Sequence, residues 1–269
     1  MLKSKLLLYF LVYISFSWAQ EGTFVKMDNS DCQYFTNMTD SPIAALQFSW
    51  TGACRNGYLD GEGLLHVTWV FNDGSNDYGS IKYQGGMLQG RENGPGERKT
   101  EHRLTDEDGK IESYWFRDSG NWLDGVFNGY GISESSLGEK HEGSWKEGKK
   151  HGQGTWHFAN GDVYSGQFEN DVIHGIGRLE QLDGTTYNGE FKNGFANGQG
   201  ELSYADGTSY KGTVQKGSPN GFGRIAFSDG TVYQGEFSEG KRHGNGKIVF
   251  SNGDVYEGDW MNDLQHGKG

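Results

Sequence analysis

Residues 164–177 read Tyr-Ser-Gly-Gln-Phe-Glu-Asn-Asp-Val-Ile-His-Gly-Ile-Gly, and 233–246 return the pattern as Tyr-Gln-Gly-Glu-Phe-Ser-Glu-Gly-Lys-Arg-His-Gly-Asn-Gly. The interval is a multiple of 23 residues: Tyr164, Tyr187, Tyr210, Tyr233 and Tyr256 are spaced by 23, as are Gly143, Gly166, Gly189, Gly212, Gly235 and Gly258. Two residues beyond each of these glycines stands Trp145, Phe168, Phe191, Val214, Phe237 or Trp260. Further on come the pairs Gly152/Gly154, Gly175/Gly177, Gly198/Gly200, Gly221/Gly223, Gly244/Gly246 and Gly267/Gly269. A period held in register through so many columns marks a repeat array, each unit one supersecondary element that needs its neighbours.

The glycine spacing also runs backwards. Gly120, Trp122, Gly125, Gly129 and Gly131 fit it, as do Gly85, Met87, Gly90, Gly94 and Gly96, and Gly52, Cys54, Gly57, Gly61 and Gly63. The repeats then fill residues 50–269 as nine units, starting near Trp50, Tyr83, Asp118, His141, Tyr164, Tyr187, Tyr210, Tyr233 and Tyr256. The first two, 33 and 35 residues long, read as longer hairpins around Asp73-Gly74 and Asp108-Gly109.

Tyr164, Gly166 and Phe168 fall on one side of an extended strand, since side chains alternate with period two. Asn160-Gly161, Asp183-Gly184, Asp206-Gly207, Asp229-Gly230 and Asn252-Gly253 separate such runs. They predict tight two-residue hairpin turns with both residues at positive φ. The other connection, such as Glu147 to Gly152, reads as longer and polar. Each unit is a β-hairpin, and the chain is all-β.

The pattern Tyr-x-Gly-x-Phe-x-x-Gly-x-x-His-Gly-x-Gly resembles the MORN repeat over about residues 50–269, with departures at Val214, Asp171, Asp263 and in the first units. The resemblance implies an elongated, curved, single-layer antiparallel array of stacked hairpins, with dimerisation through terminal repeats and a membrane role among the family's properties. At ~4.8 Å per strand, nine hairpins advance on the order of 85 Å. Trp145, Tyr164, Phe168, Tyr187, Phe191, Tyr210, Tyr233, Phe237, Tyr256 and Trp260 form the candidate interaction ladder, because one layer leaves a face uncovered and contiguous exposed apolar surface marks contact sites. For any one of them alone, packing on the next repeat is the simpler reading.

Lys3 and Lys5 precede an apolar run from Leu6 to Trp18, which predicts a secretory signal peptide over residues 1–19, cut after Ala19. The mature chain then keeps 22 basic against 36 acidic residues, −14, with no basic patch. That argues against nucleic acid, which needs clustered cations, and against purely electrostatic attraction to anionic lipid. Export places the protein in a periplasm or outside the cell, where Cys32 and Cys54 are expected to pair and tie an N-terminal cap, residues 20–49, to the first repeat. Two reactive or metal-binding thiols would lack companions. Asn37-Met38-Thr39 is a glycosylation sequon in a eukaryotic source. The last unit stops at the second glycine of its pair, Gly269, which reads as a fragment in preference to an edge left for another subunit.

No nucleophile elbow, His-Glu-x-x-His, phosphate loop or Cys-x-x-Cys occurs. The column His151, His174, Asn197, Asn220, His243 and His266 spaces its members about 10 Å apart, too far for two to share one metal. Asp106 to Gly109 lacks the further ligands of a calcium loop. The expectation is a non-catalytic protein-interaction scaffold without cofactor or metal, with a protein partner, and with lipid association or glycan binding by the Tyr and Trp columns as alternatives.

Overall fold

The structure, a computed structural model, describes residues 23–27, 31–36, 43–71, 77–106 and 108–269. The proposed signal peptide, the sequon at Asn37 and the hairpin tip at Asp73-Gly74 lie outside them. The described chain is all-β: 21 strands in a mostly antiparallel, open sheet and no helix. It divides into two compact units, Met1–His151 and Gly152–Gly269.

In the second unit, strands Val163–Glu169 and Val172–Glu180 pair antiparallel across Asn170-Asp171, with φ of 51° and 70°. Two successive positive φ values define a type I′ turn, whose twist suits adjoining strands. Asn193-Gly194, Lys216-Gly217, Glu239-Gly240 and Asn262-Asp263 repeat it. The five pairs expected to hold these turns, Asn160-Gly161, Asp183-Gly184, Asp206-Gly207, Asp229-Gly230 and Asn252-Gly253, do not. At Asn160-Gly161 only the glycine is at positive φ, 93°. Phe158 N–H donates to the Asp162 carbonyl at 2.9 Å and Gly161 N–H to the Phe158 carbonyl at 3.0 Å, closing a three-residue loop. The physical reason lies in the acids: Asp183, Asp206 and Asp229 accept the N–H two residues on, from Thr185, Thr208 and Thr231, each at 2.8 Å. Such Asx turns hold the acid at ordinary negative φ and leave the left-handed step to glycine.

The four hairpins between Val163 and Val249 each also carry a bulge. Gly166 pairs with Gly177, yet Gln167 pairs with His174, so Gly175 and Ile176 are extra. Gly175 sits at φ 66°, where a glycine avoids the Cβ penalty. The Oε1 of Gln167 accepts the freed Ile176 N–H at 2.9 Å, and that of Glu190 accepts the Gln199 N–H at 3.1 Å. Past the bulge, one glycine from every strand falls in a row from Gly154 and Gly166 to Gly246 and Gly258. The row leaves room for the tyrosine rings: a Cβ on Gly177 would meet Tyr164 Cζ at 2.6 Å.

The first unit uses the same lattice, with Gly63, Gly85, Gly96, Gly120, Gly131 and Gly143 in its row. Its strands are longer, Tyr58–Phe71, Tyr78–Leu88, Arg91–Thr105 and Ile111–Leu123. They bury Leu65, Val67, Trp69, Ile81 and Tyr83. The segment before the repeats forms the hairpin Thr23–Lys26 and Gln33–Thr36, then Ile43–Trp50, which joins the sheet antiparallel to Tyr58–Phe71. Cys32 and Cys54 are disulfide-bonded, Cα atoms 5.8 Å apart, pinning the hairpin to the first repeat.

Candidate functional site

The expected interaction ladder is the core of the second unit. Tyr164, Phe168, Tyr187, Phe191, Tyr210, Tyr233, Phe237 and Trp260 are buried together, with Tyr256 half-buried against them. Trp145 belongs to the first unit, half-buried beside Phe127 at 5.0 Å between ring centroids. In this chain the ladder side chains pack on one another, and each tyrosine ring lies across the glycine row. Phe168 and Phe191 meet Tyr164 edge-on at 5.2 and 5.0 Å, and Phe237 and Trp260 meet Tyr233 at 5.2 Å each. Edge-to-face pairs of this kind add ~0.5–1.5 kcal/mol beyond their burial.

Every ladder hydroxyl is engaged. Those of Tyr164, Tyr187, Tyr210, Tyr233 and Tyr256 donate to the carbonyl three residues on, at 2.7–3.0 Å. Burial pushes Tyr164, Tyr210 and Tyr233 up to about 12. Burial thus favours the protonated form of these phenols, which donate to backbone.

The first unit varies the tyrosine column, with Asp118 and His141 in it. Buried Asp118 pairs with Arg98 at 3.1 Å, and that guanidinium lies 4.2 Å over the Trp122 ring. Buried Glu92 accepts the Tyr34 hydroxyl at 3.0 Å. Desolvation raises this carboxyl above its ordinary range, and the Tyr34 hydroxyl well above its own. Together with Arg91 stacked on Phe35 at 3.6 Å, these contacts fasten the leading hairpin on the repeats. His141 packs edge-on against Trp145, and burial brings it down to about 3, with Lys150 adding to the effect. The four histidines of the expected loop column, His151, His174, His243 and His266, stand on four separate strands instead of in loops. Among the described residues no three His, Cys, Asp or Glu side chains are grouped as a metal site.

What differs from repeat to repeat is the opposite, outer face. Its row Ser203, Ser209, Ala226, Val232, Val249 and Val255 runs through directly paired positions and turns from hydroxyls to aliphatic side chains. Val249 and Val255 are 39% and 55% exposed, and Phe222 on the same face is 60% exposed. The adjoining row is Glu201, Lys211, Arg224, Gln234, Lys247 and Glu257. The sequence columns hid this face because its positions do not repeat. Only the period-two alternation pointed to it, at Phe222, Arg224 and Ala226.

A chain of identical hairpins whose recurring residues are consumed by packing, with its variable residues displayed outward, is a β-hairpin repeat protein. The family model for the MORN repeat matches residues 119–136, 141–163, 164–186, 187–209, 210–232, 233–255 and 256–269, and the chain belongs to that family. Repeats of this family are generally protein- or membrane-interaction modules. The two longer leading units, residues 50–117, lie outside the matched segments. None of the curated proteins matches the chain.

Proposed function

We propose that the protein is a non-catalytic scaffold of an exported compartment, which binds a protein partner on the outer face of its repeats. One observation carries the reading: the residues that recur are spent on the lattice, through the tyrosine rings, the glycine row and the bulges. The residues free to contact anything else are the non-repeating ones of the outer face. Burial raises the phenols of Tyr164, Tyr187, Tyr210 and Tyr233, and the hydroxyls of all five ladder tyrosines are given to backbone carbonyls, which supports a structural role for them. The apolar run after Lys3 and Lys5 supports export, and the disulfide fits an oxidising compartment.

The test is crosslinking of the tagged mature protein in its native exported fraction, followed by mass spectrometry of the joined peptides. The reading expects one dominant protein joined through outer-face residues of the repeats. Recovery from the cell interior, or self-crosslinks alone, overturns it.

A further inference from the structure

Within the second unit the outer face is not uniform. On strand Ser218–Ala226 the side chains of Phe222, Arg224 and Ala226 point outward in turn, a cation between two apolar groups. Across the neighbouring strands the apolar side continues through Val232, Val249 and Val255, and the cationic side through Lys211 and Lys247. Glu201 pairs with Lys211, and Glu257 with Lys247 at 2.9 Å, so acids close the row at both ends. Arg224, at the centre, makes no ion pair among the described residues. It stands directly opposite Lys211 in the antiparallel register. Like charges placed opposite each other destabilise a sheet, so local packing gives no reason for this pair.

We infer that this strip, centred on Arg224 and bordered by Phe222 and the valine row, is the docking site for an acidic, aliphatic segment of a partner protein. Charge complementarity selects the occupant. A carboxylate over Arg224 relieves its repulsion with Lys211, while aliphatic neighbours cover Val232, Val249 and Val255. A second copy of this face would bring the same cations together. An anionic membrane is a broad surface that would also meet Glu201 and Glu257 at the two ends of the row, whereas a short segment can set its carboxylates over Arg224 alone. The equivalent positions one to three repeats earlier, His157, Val163, Glu180, Thr186, Ser203 and Ser209, are mostly polar, so the strip is confined to the last repeats. β-branched residues suit exposed strands by propensity alone, yet propensity does not explain their coincidence with an unpaired arginine.

This inference deepens the scaffold reading and rests on it. The experiment uses the full mature chain and fluorescein-labelled extended peptides of about eight residues, enough to cross the five strands at ~4.8 Å each. Alternating Val/Glu, Val/Lys and Ser/Glu peptides are compared by anisotropy at low salt. The Val/Glu peptide is expected to bind at least about tenfold tighter than either of the others. Arg224→Glu is expected to weaken it about tenfold, and Val249→Ser several-fold, while Arg178→Glu, on the same face three repeat strands away from the strip, changes nothing. Near-UV circular dichroism of each variant establishes that the core is kept. Equal binding of Val/Glu and Ser/Glu, or equal damage from Arg178→Glu, overturns the site. So does the absence of peptide binding while phosphatidylserine vesicles are retained in an Arg224-dependent way, which would make lipid the occupant. A native partner crosslinked only to the first unit leaves the scaffold standing and removes this strip.

Discussion

The hydroxyl of Tyr164 donates to the carbonyl of Gln167, three residues along its own strand, at 2.9 Å. That carbonyl lies where the bulge interrupts the ladder. The tyrosine thus supplies a partner to backbone that the bulge deprives of one, which explains a tyrosine in this column where phenylalanine would pack as well. Tyr164→Phe is expected to cost about 1 kcal/mol, the usual net worth of such a bond, with the ring contacts kept. Urea unfolding followed by tryptophan fluorescence should show a lower midpoint at unchanged slope.

The ring and the glycine beneath it form one device. A Cβ on Gly223 would come within 2.6 Å of Tyr210 Cζ, whereas one on Gly230 would meet nothing within 4 Å. Gly223→Ala is therefore expected to cost ~1–3 kcal/mol by overpacking, and to cost far less in a Tyr210→Leu background. Gly230→Ala, strained only by its φ of 88°, should add to Tyr210→Leu without coupling. A double-mutant cycle by urea unfolding checks both, and additivity for Gly223 would remove the clash argument.

How far these relationships were legible depends on whether they recur. The glycine row, the aromatic columns and the hairpin period could be read because nine units restate them. The assignment of the turns went the other way. Asn-Gly and Asp-Gly pairs carry the strongest tight-turn signal, but here Asp183 and Asp206 use their carboxylates to cap Thr185 and Thr208. The type I′ turns fell on the other connection of each repeat, at Asn193-Gly194 but also at Glu147-Gly148, Lys216-Gly217 and Glu239-Gly240, whose first residues give no local warning. The bulge was illegible for the same reason, since Gly-x-Gly alternates as an ordinary strand would. The aromatic ladder was visible, but whether one sheet layer covers it depends on how each ring lies across its glycines, which spacing alone does not convey.

The turn correction has its own consequence. Lys216 holds φ 50° with an exposed side chain, a conformation lysine adopts at a cost and asparagine with little. Lys216→Asn is expected to stabilise the second unit by roughly 0.5 kcal/mol. A rise in the thermal midpoint would be the readout. A fall would show that the positive φ is not borne at that residue.

Cys32 and Cys54 close a loop with a sequence separation of 22. In the chain-entropy account such a closure is worth roughly 3 kcal/mol. Replacing both by serine should lower the stability of the first unit by that order and speed proteolysis between residues 23 and 36. The second unit should be unaffected, since its core cluster contains no residue of the leading hairpin. Limited proteolysis with mass mapping separates the two, and equal loss in both units would contradict the local role.

His141 occupies the column that tyrosine fills at residues 164, 187, 210, 233 and 256. Its folded pKa is brought down to about 3, first by burial and then by Lys150, and burial brings that of His102 to about 4. Both begin from an unfolded value of 6.5. A depressed folded pKa contributes stability that is fully present above the unfolded value and is lost as pH falls towards the folded one. The first unit should therefore weaken from about pH 6.5 downward, by a few kcal/mol in total at pH 4. Glu92 opposes the trend, because its raised pKa favours the fold on acidification once pH approaches the carboxylate range. His141→Tyr removes the larger of the two histidine contributions with the residue that fits this lattice elsewhere. Stability measured by urea unfolding between pH 7 and pH 4 should then fall with about half the wild-type slope. An unchanged slope would place the acid sensitivity outside the tyrosine column.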